Sequence, residues 1–437
     1  MKKLIRSSQH FYDKIANSGK TIKAREFIDE YRRVASLILD QIFENGYTWE
    51  YEDKKTNEIK HCVFSFKDDL LDCPSYLDYN LFKIETTLSA RALSSLGTQL
   101  CGVISAATEK RRKRLYVFNQ LCLEGKYNEK LFKILEKFPV IKPNVENLNP
   151  ELSSKCVDFE KSDNDLFLGY VRLKSIGESF GHIKIPIRNT NISRKYSKDW
   201  NMLPSILLTK SFINVRWEKE IELKKEGKEI GCDQGKLTVL TLSDKQTTPK
   251  ENNHRHSLDS IMEKLSRKRK GSKAFKKAQD HRKNFINWSI NQINLDGISH
   301  FKLEEVVNIG YKNPKSRLMS HWTNTLIRDK TQSKCDVNGV RFTLQSCTYR
   351  SQRCSVCGLV RKSNRKGKIF FCKGCGHSDD ADYNASCNHE QTLPDIPHKL
   401  RLLQLNRSGF YWKENGFYDC DGVELESHLP QQQKVIV

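Results

Sequence analysis

Cys354/Cys357 and Cys372/Cys375 form two Cys-x-x-Cys pairs with fourteen residues between them. A Cys-x-x-Cys turn is a knuckle that aims both sulfurs at one point, and two knuckles supply the four thiolates of a tetrahedral Zn²⁺ site. The link between the pairs ends in KGKIFFC, which can return as one arm of a short ribbon. So small a ribbon buries little apolar surface, and the metal would supply its folding energy. Directly after the second pair comes an acidic run containing Asp379, Asp380 and Asp382. Two more carboxylate positions lie upstream. Asp233 sits in EIGCDQGKLTVLTLS, flanked by Gly231 and Gly235, where glycines would let a phosphate or metal approach the backbone. On its own, an aspartate beside glycines reads as a turn. Glu304 and Glu305 lie near the middle or end of a buried-type strand, GISHFKLEEVVNIG (297–310). Each carboxylate alone is ordinary. Three from separated elements meeting at one sheet edge would suit two Mg²⁺ ions, which prefer oxygen and share themselves with water and phosphate. Two such ions activate water and stabilise the leaving 3′ oxygen in phosphodiester hydrolysis.

The elements that must position these groups are legible in part. Phe27, Tyr31, Val34, Ile38 and Ile42 step along one helical face, and Asn45-Gly46 ends that helix. A second long helix is predicted with Leu81, Ile84, Leu88, Ala92, Leu96, Leu100 and Val103 on a stripe, running into the basic cluster Lys110 to Arg114. Pro139, Pro143 and Pro150 then break helices. LFLGYVRLK (166–174), HIKIPIR (182–188) and SFINVRWEKEI (211–221) alternate as strands, which predicts a small antiparallel barrel or sheet. Between the first two acidic sites, a helix, a Gly271-Ser272 break and a second helix are predicted. Ser316 to Lys330 has a helical pattern with Trp322 and Leu326, and GVRFTLQ (339–345) reads as a strand. GFYWKENGFYDCDG (409–422) reads as a hairpin with an Asn-Gly turn.

Charge points to the partner. The 437 residues carry a formal net charge of +22, which favours a polyanion. The densest run is Lys264, Arg267, Lys268, Arg269, Lys270, Lys273, Lys276, Lys277, Arg282 and Lys283, against Asp280 alone, with Phe275, Phe285 and Trp288 among and after it. Such a run is expected to contact phosphates. Zinc-type spacing in four of the fourteen cysteines, the scatter of the other ten and the lack of a signal-peptide pattern point to a reducing, cytoplasmic setting, nucleoid-associated for a nucleic-acid enzyme. No apolar run reaches the length of a membrane span, so a membrane partner is not expected.

IGCDQG, FKLEEVVNI, YRSQRCSVCG, FFCKGCG and DADYNAS resemble, in order and spacing, the signature segments of the TnpB family of transposon-encoded nucleases. They resemble equally the compact type V CRISPR effectors descended from it. The resemblance covers residues 229 to about 388. It implies an α/β multidomain chain with a RuvC-like, ribonuclease-H-type nuclease domain and an inserted zinc ribbon, preceded by a helical recognition domain and a small β-barrel wedge domain. The implied boundaries are 1–20 for the first wedge strand, 21–134 for the recognition domain and 135–228 for the wedge. The nuclease domain would take 229–345 and 379–395, the ribbon 346–378, and a tail with the hairpin 396–437. Carried over by motif, Asp233, Glu304 and Asp382 are the catalytic, magnesium-binding carboxylates, and Cys354, Cys357, Cys372 and Cys375 hold one structural zinc. Glu304 is preferred because Glu305 stands where the family often has Asp. Three departures stand out. Ser346-Cys347 occupies the place of a frequent Asp-Pro, Arg350 replaces the usual Thr, and about fifty residues follow the third carboxylate.

The function so implied is RNA-guided DNA endonuclease, with guide RNA and target DNA as partners, in which pairing supplies specificity and the protein holds the heteroduplex by shape and charge. Whether the protein works as monomer or homodimer is left open. One alternative is an RNA-independent, resolvase-like RuvC nuclease acting on a DNA structure, against which the large N-terminal half and the ribbon argue. The other is a nuclease-silent RNA-guided regulator, against which the presence of all three carboxylates argues.

Overall fold

In the computed structural model, every residue is described except 1, 14, 45–47, 54–57, 64, 68–69, 73–78, 83, 124, 137–140, 236, 307–323 and 426–437. The chain divides into two units, one of residues 5–219 and one of residues 1–4 with 220–437.

The chain opens with β1 (Lys2–Phe11), which enters the first unit at Ile5, and α1 (Ser18–Glu44) follows. Phe27, Tyr31, Val34, Ile38 and Ile42 are all buried, on the face their spacing predicts. Two hairpins follow, β2 (Thr48–Asp53) with β3 (Glu58–Val63) and β4 (Ser65–Lys67) with β5 (Leu70–Asp72). The second long helix, α2 (Ala90–Leu123), begins later than the apolar stripe suggests. Leu81 falls in a short 3₁₀ turn, and the Ser89 hydroxyl accepts from Ala92 N–H at 3.1 Å, which fixes the start of the helix at the serine. The basic cluster 110–114 lies inside α2 rather than at its end, and Arg111 is buried with its guanidinium on the Leu135 carbonyl at 2.8 Å.

After α3 (Glu129–Leu135) come β6 (Glu151–Leu152), β7 (Val157–Lys161), β8 (Phe167–Leu173), β9 (Ile183–Arg188), α4 (Asn191–Asp199), β10 (Asn201–Leu208) and β11 (Phe212–Ile221). Ile183, Ile185 and Ile187 are buried on one side of β9, as alternation requires. These strands form a four-stranded sheet in the order β1-β11-β10-β6 and a three-stranded sheet β7-β8-β9. The expected closed barrel is absent among the described residues. β6 contributes two residues, too few to carry pairing onward, so each sheet keeps its own edges. The helical and β segments, expected as separate domains split at 134/135, share one continuous core from Tyr12 to Trp217.

The second unit begins with β12 (Lys228–Gln234) and β13 (Leu240–Leu242), followed by α5 (Leu258–Ser266), α6 (Lys273–Asn291), β14 (Ile298–Glu305), α7 (Asn324–Val337) and β15 (Arg341–Ser346). Trp322, placed by the sequence on the helix before β15, lies outside the described residues. The sheet order is β13-β12-β14-β15, with β12, β14 and β15 parallel and β13 antiparallel to β12. Its two faces differ. Ile230, Cys232, Phe301 and Leu303 pack against Ile261, Met262, Phe285, Ile286 and Ile290 of α5 and α6 and Ile327 of α7. The intervening residues Gly231, Asp233, Lys302 and Glu304 occupy the opposite face.

The ribbon segment contributes β16 (Leu359–Val360), β17 (Arg365–Lys366), β18 (Ile369–Phe371) and β19 (Ser378–Asp380), then α8 (Ala381–Glu390) and α9 (His398–Leu402). β17, β18 and β19 form one small sheet, with KGKIFFC returning as the expected arm. The tail hairpin, β20 (Phe410–Lys413) and β21 (Gly416–Tyr418), turns through Glu414 and Asn415. Gly416, with φ of 144°, starts the return strand instead of sitting in the turn. β20 adds to β16, so the tail is built onto the ribbon.

Candidate active site and zinc centre

Cys232 pairs with Leu303 across parallel strands, so the next residues, Asp233 and Glu304, emerge side by side on one face. Glu305, one residue further, faces the other way, which separates the two glutamates physically. Gln234 holds the pair from the backbone. Its N–H donates to Glu304 Oε2 at 3.3 Å and its side-chain amide to the Glu304 carbonyl at 2.8 Å. Asp233 is 7 % exposed. Burial pushes its carboxyl well above the usual range, and the Glu304 and Asp382 charges push it the same way. Burial also pushes Glu304 up to about 7. Two acids this close and this dry do not both ionise readily without a cation.

The third carboxylate arrives on α8. Asp380 caps the helix, its carboxylate accepting from the N–H groups of Asp382 (2.9 Å) and Tyr383 (3.1 Å), so it is occupied by backbone. Asp382 sits in the first turn and is buried. Its Oδ1 accepts from the Arg365 guanidinium at 3.1 Å and its Oδ2 from Lys368. Both cations come from the β17–β18 hairpin of the ribbon. What brings α8 to the sheet is Gly231. A Cβ there would stand 2.1 Å from Glu390 N and 2.1 Å from Ser386 O, so only glycine lets the helix backbone lie on β12. The sequence suggested a ligand's approach at this glycine, but the space is filled by a helix. Lys302, 3 % exposed, locks the far end of α8 by donating to the Glu390 carbonyl at 2.7 Å.

One residue of the site was not expected. His389 lies seven residues after Asp382, on the same face of α8, and is 1 % exposed. One of its ring nitrogens and one oxygen each of Asp233 and Glu304 lie within 4.8 Å of one another. Burial holds the imidazole well below its usual range, with Arg350 adding to the effect, so it is neutral. The spacing of seven was the available sequence signal, because it repeats the face that carries Asp382.

The four cysteines converge. Their sulfurs lie within 4.8 Å of one another, with Cys354–Cys375 at 3.7 Å and Cys357–Cys372 at 3.5 Å. Sulfurs about 2.3 Å from a tetrahedral Zn²⁺ stand about 3.8 Å apart, so the set fits one ion. The two knuckles repeat each other. Cys354 N–H donates to Leu359 O and Gly358 N–H to Cys354 O, at 2.9 and 3.0 Å. Cys372 N–H donates to His377 O and Gly376 N–H to Cys372 O, at 2.8 and 3.0 Å. Gly358 and Gly376 take φ of 80° and 77°, the left-handed conformation that closes each knuckle. Backbone N–H groups reach the sulfurs, from Val356 and Cys357 to Cys354 and from His377 to Cys375.

Side chains of α8 tie this centre to the acidic one. Asn384 donates to Arg353 O at 2.8 Å and accepts from Ser355 N–H at 3.0 Å. Asn388 donates to Arg350 O at 3.1 Å and to Arg353 O at 2.8 Å. Arg350 is fully inside, its guanidinium on Ser346 O (3.0 Å), Gln345 Oε1 (3.0 Å) and Asn388 O, over the Trp412 ring. A cleft of about 720 Å³ opens beside Asp382, with Lys245, Lys250, Lys368 and Tyr383 in its wall.

The basic run divides. Lys264, Arg267, Arg269, Lys270, Lys273, Lys276, Lys277 and Lys283 are exposed and Lys268 is half-buried, whereas Arg282 is buried at 8 %. Arg282 therefore leaves the set of surface phosphate contacts. Phe275 and Phe285, the aromatics noted with the run, point inward as core, and Trp288 is half-buried against it.

Residues 326–389 match the family model described as Cas12f1-like, TNB domain. A CRISPR-associated endodeoxyribonuclease Cas12f1 of Sulfoacidibacillus thermotolerans is 29% identical over 134 residues, 30% of this chain and 31% of that protein. Its namesake in Syntrophomonas palmitatica is 27% identical over 136 residues, 31% of this chain and 26% of that protein. The chain thus spans about a third or less of the curated relatives it matches. Among solved structures, a Cas12f1–sgRNA–target DNA complex is similar with a TM-score of 0.42 and 12% identity, covering 89% of this chain and 99% of that one. CasPhi-2 bound to crRNA gives a TM-score of 0.46 and 8% identity, covering 90% and 99%.

Proposed function

We infer that this protein is an RNA-guided DNA endonuclease that hydrolyses phosphodiester bonds at Asp233, Glu304 and Asp382, with two divalent ions, Mg²⁺ in the first instance. The observation that carries the reading is the dry Asp233–Glu304 pair on adjacent parallel strands, with Asp382 brought to it by a helix that only Gly231 admits. Ions bound there would activate water and stabilise the departing 3′ oxygen. The protein's own part is placement. Gln234 fixes Glu304, Asp380 fixes the first turn of α8, Lys368 stands in the cleft wall where a scissile phosphate would enter, and Arg365 holds Asp382 beside it. The four thiols would hold one Zn²⁺, which would brace the hairpin that carries those two cations. The matched Cas12f1 proteins support the choice of an endodeoxyribonuclease. The +22 charge suits a long polyanion held by its backbone, and a bound RNA would neutralise much of it while lending its bases for specificity.

The test is the RNA. Protein purified from cells that transcribe its native locus is expected to carry a discrete structured RNA. Changing the pairing segment of that RNA should redirect Mg²⁺-dependent cleavage to a new DNA. RNA-free protein cutting one defined sequence or junction at full rate would install the resolvase-like alternative.

A further inference from the structure

Neither the acidic motif nor the ribbon accounts for His389. A buried polar atom without a partner costs free energy, and native folds rarely leave one unless something is missing from the picture. The Nδ1 of His389 is such an atom, in a side chain that is 1 % exposed. The place is not random. One ring nitrogen and one oxygen each of Asp233 and Glu304 lie within 4.8 Å of one another. Ligand atoms about 2.0–2.2 Å from a shared ion stand roughly 3–4 Å apart, so a small closure brings the three onto one cation. The fold enforces the approach. Gly231 seats the α8 backbone on β12, and a helical side chain leans toward its own N-terminus, carrying the imidazole from Gly231 toward Asp233.

We propose that one divalent ion of the site is held by Asp233, Glu304 and a nitrogen of His389, and that this mixed donor set favours Mn²⁺ over Mg²⁺. Mg²⁺ prefers an all-oxygen shell, whereas imidazole suits the transition metals. Asp382, two turns back along the same face and paired with Arg365 and Lys368, is left to serve the second ion. The proposal rests on reading Asp233 and Glu304 as cation ligands and is independent of which nucleic acid is cut.

The test uses the full chain with its ribbon zinc-loaded, titrated with Mn²⁺ alone and with Mg²⁺ alone, and pulsed electron paramagnetic resonance of the bound Mn²⁺. The expected spectrum shows coupling to a directly bound imidazole nitrogen. His389→Leu should abolish that coupling and lower Mn²⁺ affinity by about tenfold or more, with a smaller change for Mg²⁺. His389→Gln serves as the second variant, with zinc content and melting curve confirming the fold. Mn²⁺ binding that requires Asp233 but shows no nitrogen coupling overturns the role of His389 and leaves the carboxylate pair standing. Mn²⁺ binding unchanged by Asp233→Asn overturns the pair itself, and with it this proposal.

Discussion

At the residue scale, the site turns on which side chains share a face. Glu304 and Glu305 are adjacent in sequence, yet alternation sends one to the acid pair and the other away. Asp233→Ala, Glu304→Ala and Asp382→Ala are each expected to lower cleavage by at least about a thousandfold, because members of a unit cannot be removed singly, while guide and target binding persist. Glu305→Ala should cut normally in the same assay, and a dead Glu305→Ala with an active Glu304→Ala would exchange their roles. The acid pair also sets a pH dependence. Glu304 is raised to about 7 from an ordinary 4.5, so the folded state holds a proton that the unfolded chain has already lost. Ion-free stability is therefore full below about pH 4.5 and falls as pH rises through 7. A divalent ion replaces that proton, so the rise in Tm on adding Mg²⁺ should grow between about pH 5 and pH 8. A shift independent of pH would separate Mg²⁺ binding from this pair. The cysteines and the three carboxylates were legible because local spacing and motif carry them. His389 offered only its spacing of seven from Asp382, because its meaning depends on Glu304 and Asp233, 85 and 156 residues upstream.

At the element scale, α8 is the part that joins two centres. One face carries Asp382 and His389 to the sheet, and Asn384 and Asn388 clamp the loop that leads into the first knuckle. The strand and helix periods predicted most elements, and they failed where a cap or a glycine decides. Ser89 set the start of α2 against the apolar stripe, and Gly231 proved to be a packing position. Such facts lie in the partner element, so no window of sequence around the glycine contains them. Two substitutions should separate the centres. Gly231→Ala forces backbone apart and should cost about 1–3 kcal/mol or more, abolish cleavage by lifting α8, and leave one zinc bound. Cys354→Ser should release the zinc and weaken cleavage through the loosened Arg365–Lys368 hairpin. Metal content by elemental analysis and Tm would be read for both. A fully active Gly231→Ala protein would mean that α8 need not touch β12 for catalysis.

At the scale of the whole molecule, charge is the property the sequence announced most clearly, and the structure changes who carries it. Of ten basic residues between Lys264 and Lys283, Arg282 is inside, Phe275 and Phe285 beside the run belong to the core, and Trp288 is half-buried against it. What remains is a strip of exposed ammonium and guanidinium groups on α5, α6 and the turn at Gly271, with no stacking surface made by Phe275 or Phe285. Such a strip suits a phosphate backbone, whose contacts position a nucleic acid without specifying its sequence, and that is the division of labour expected if pairing with RNA supplies the specificity. Reversing Lys268, Arg269, Lys276 and Lys277 to Glu should weaken nucleic-acid binding equally across sequences. The slope of log affinity against log salt should fall by roughly one for each phosphate contact removed. Arg282→Glu, by contrast, should act through stability, lowering Tm because it reverses a buried charge, and in the protein that remains folded the salt slope should hold. Fluorescence anisotropy at a series of salt concentrations measures both variants against the parent. A slope unchanged by the fourfold reversal would assign the strip to solubility alone and move the phosphate contacts elsewhere on the surface.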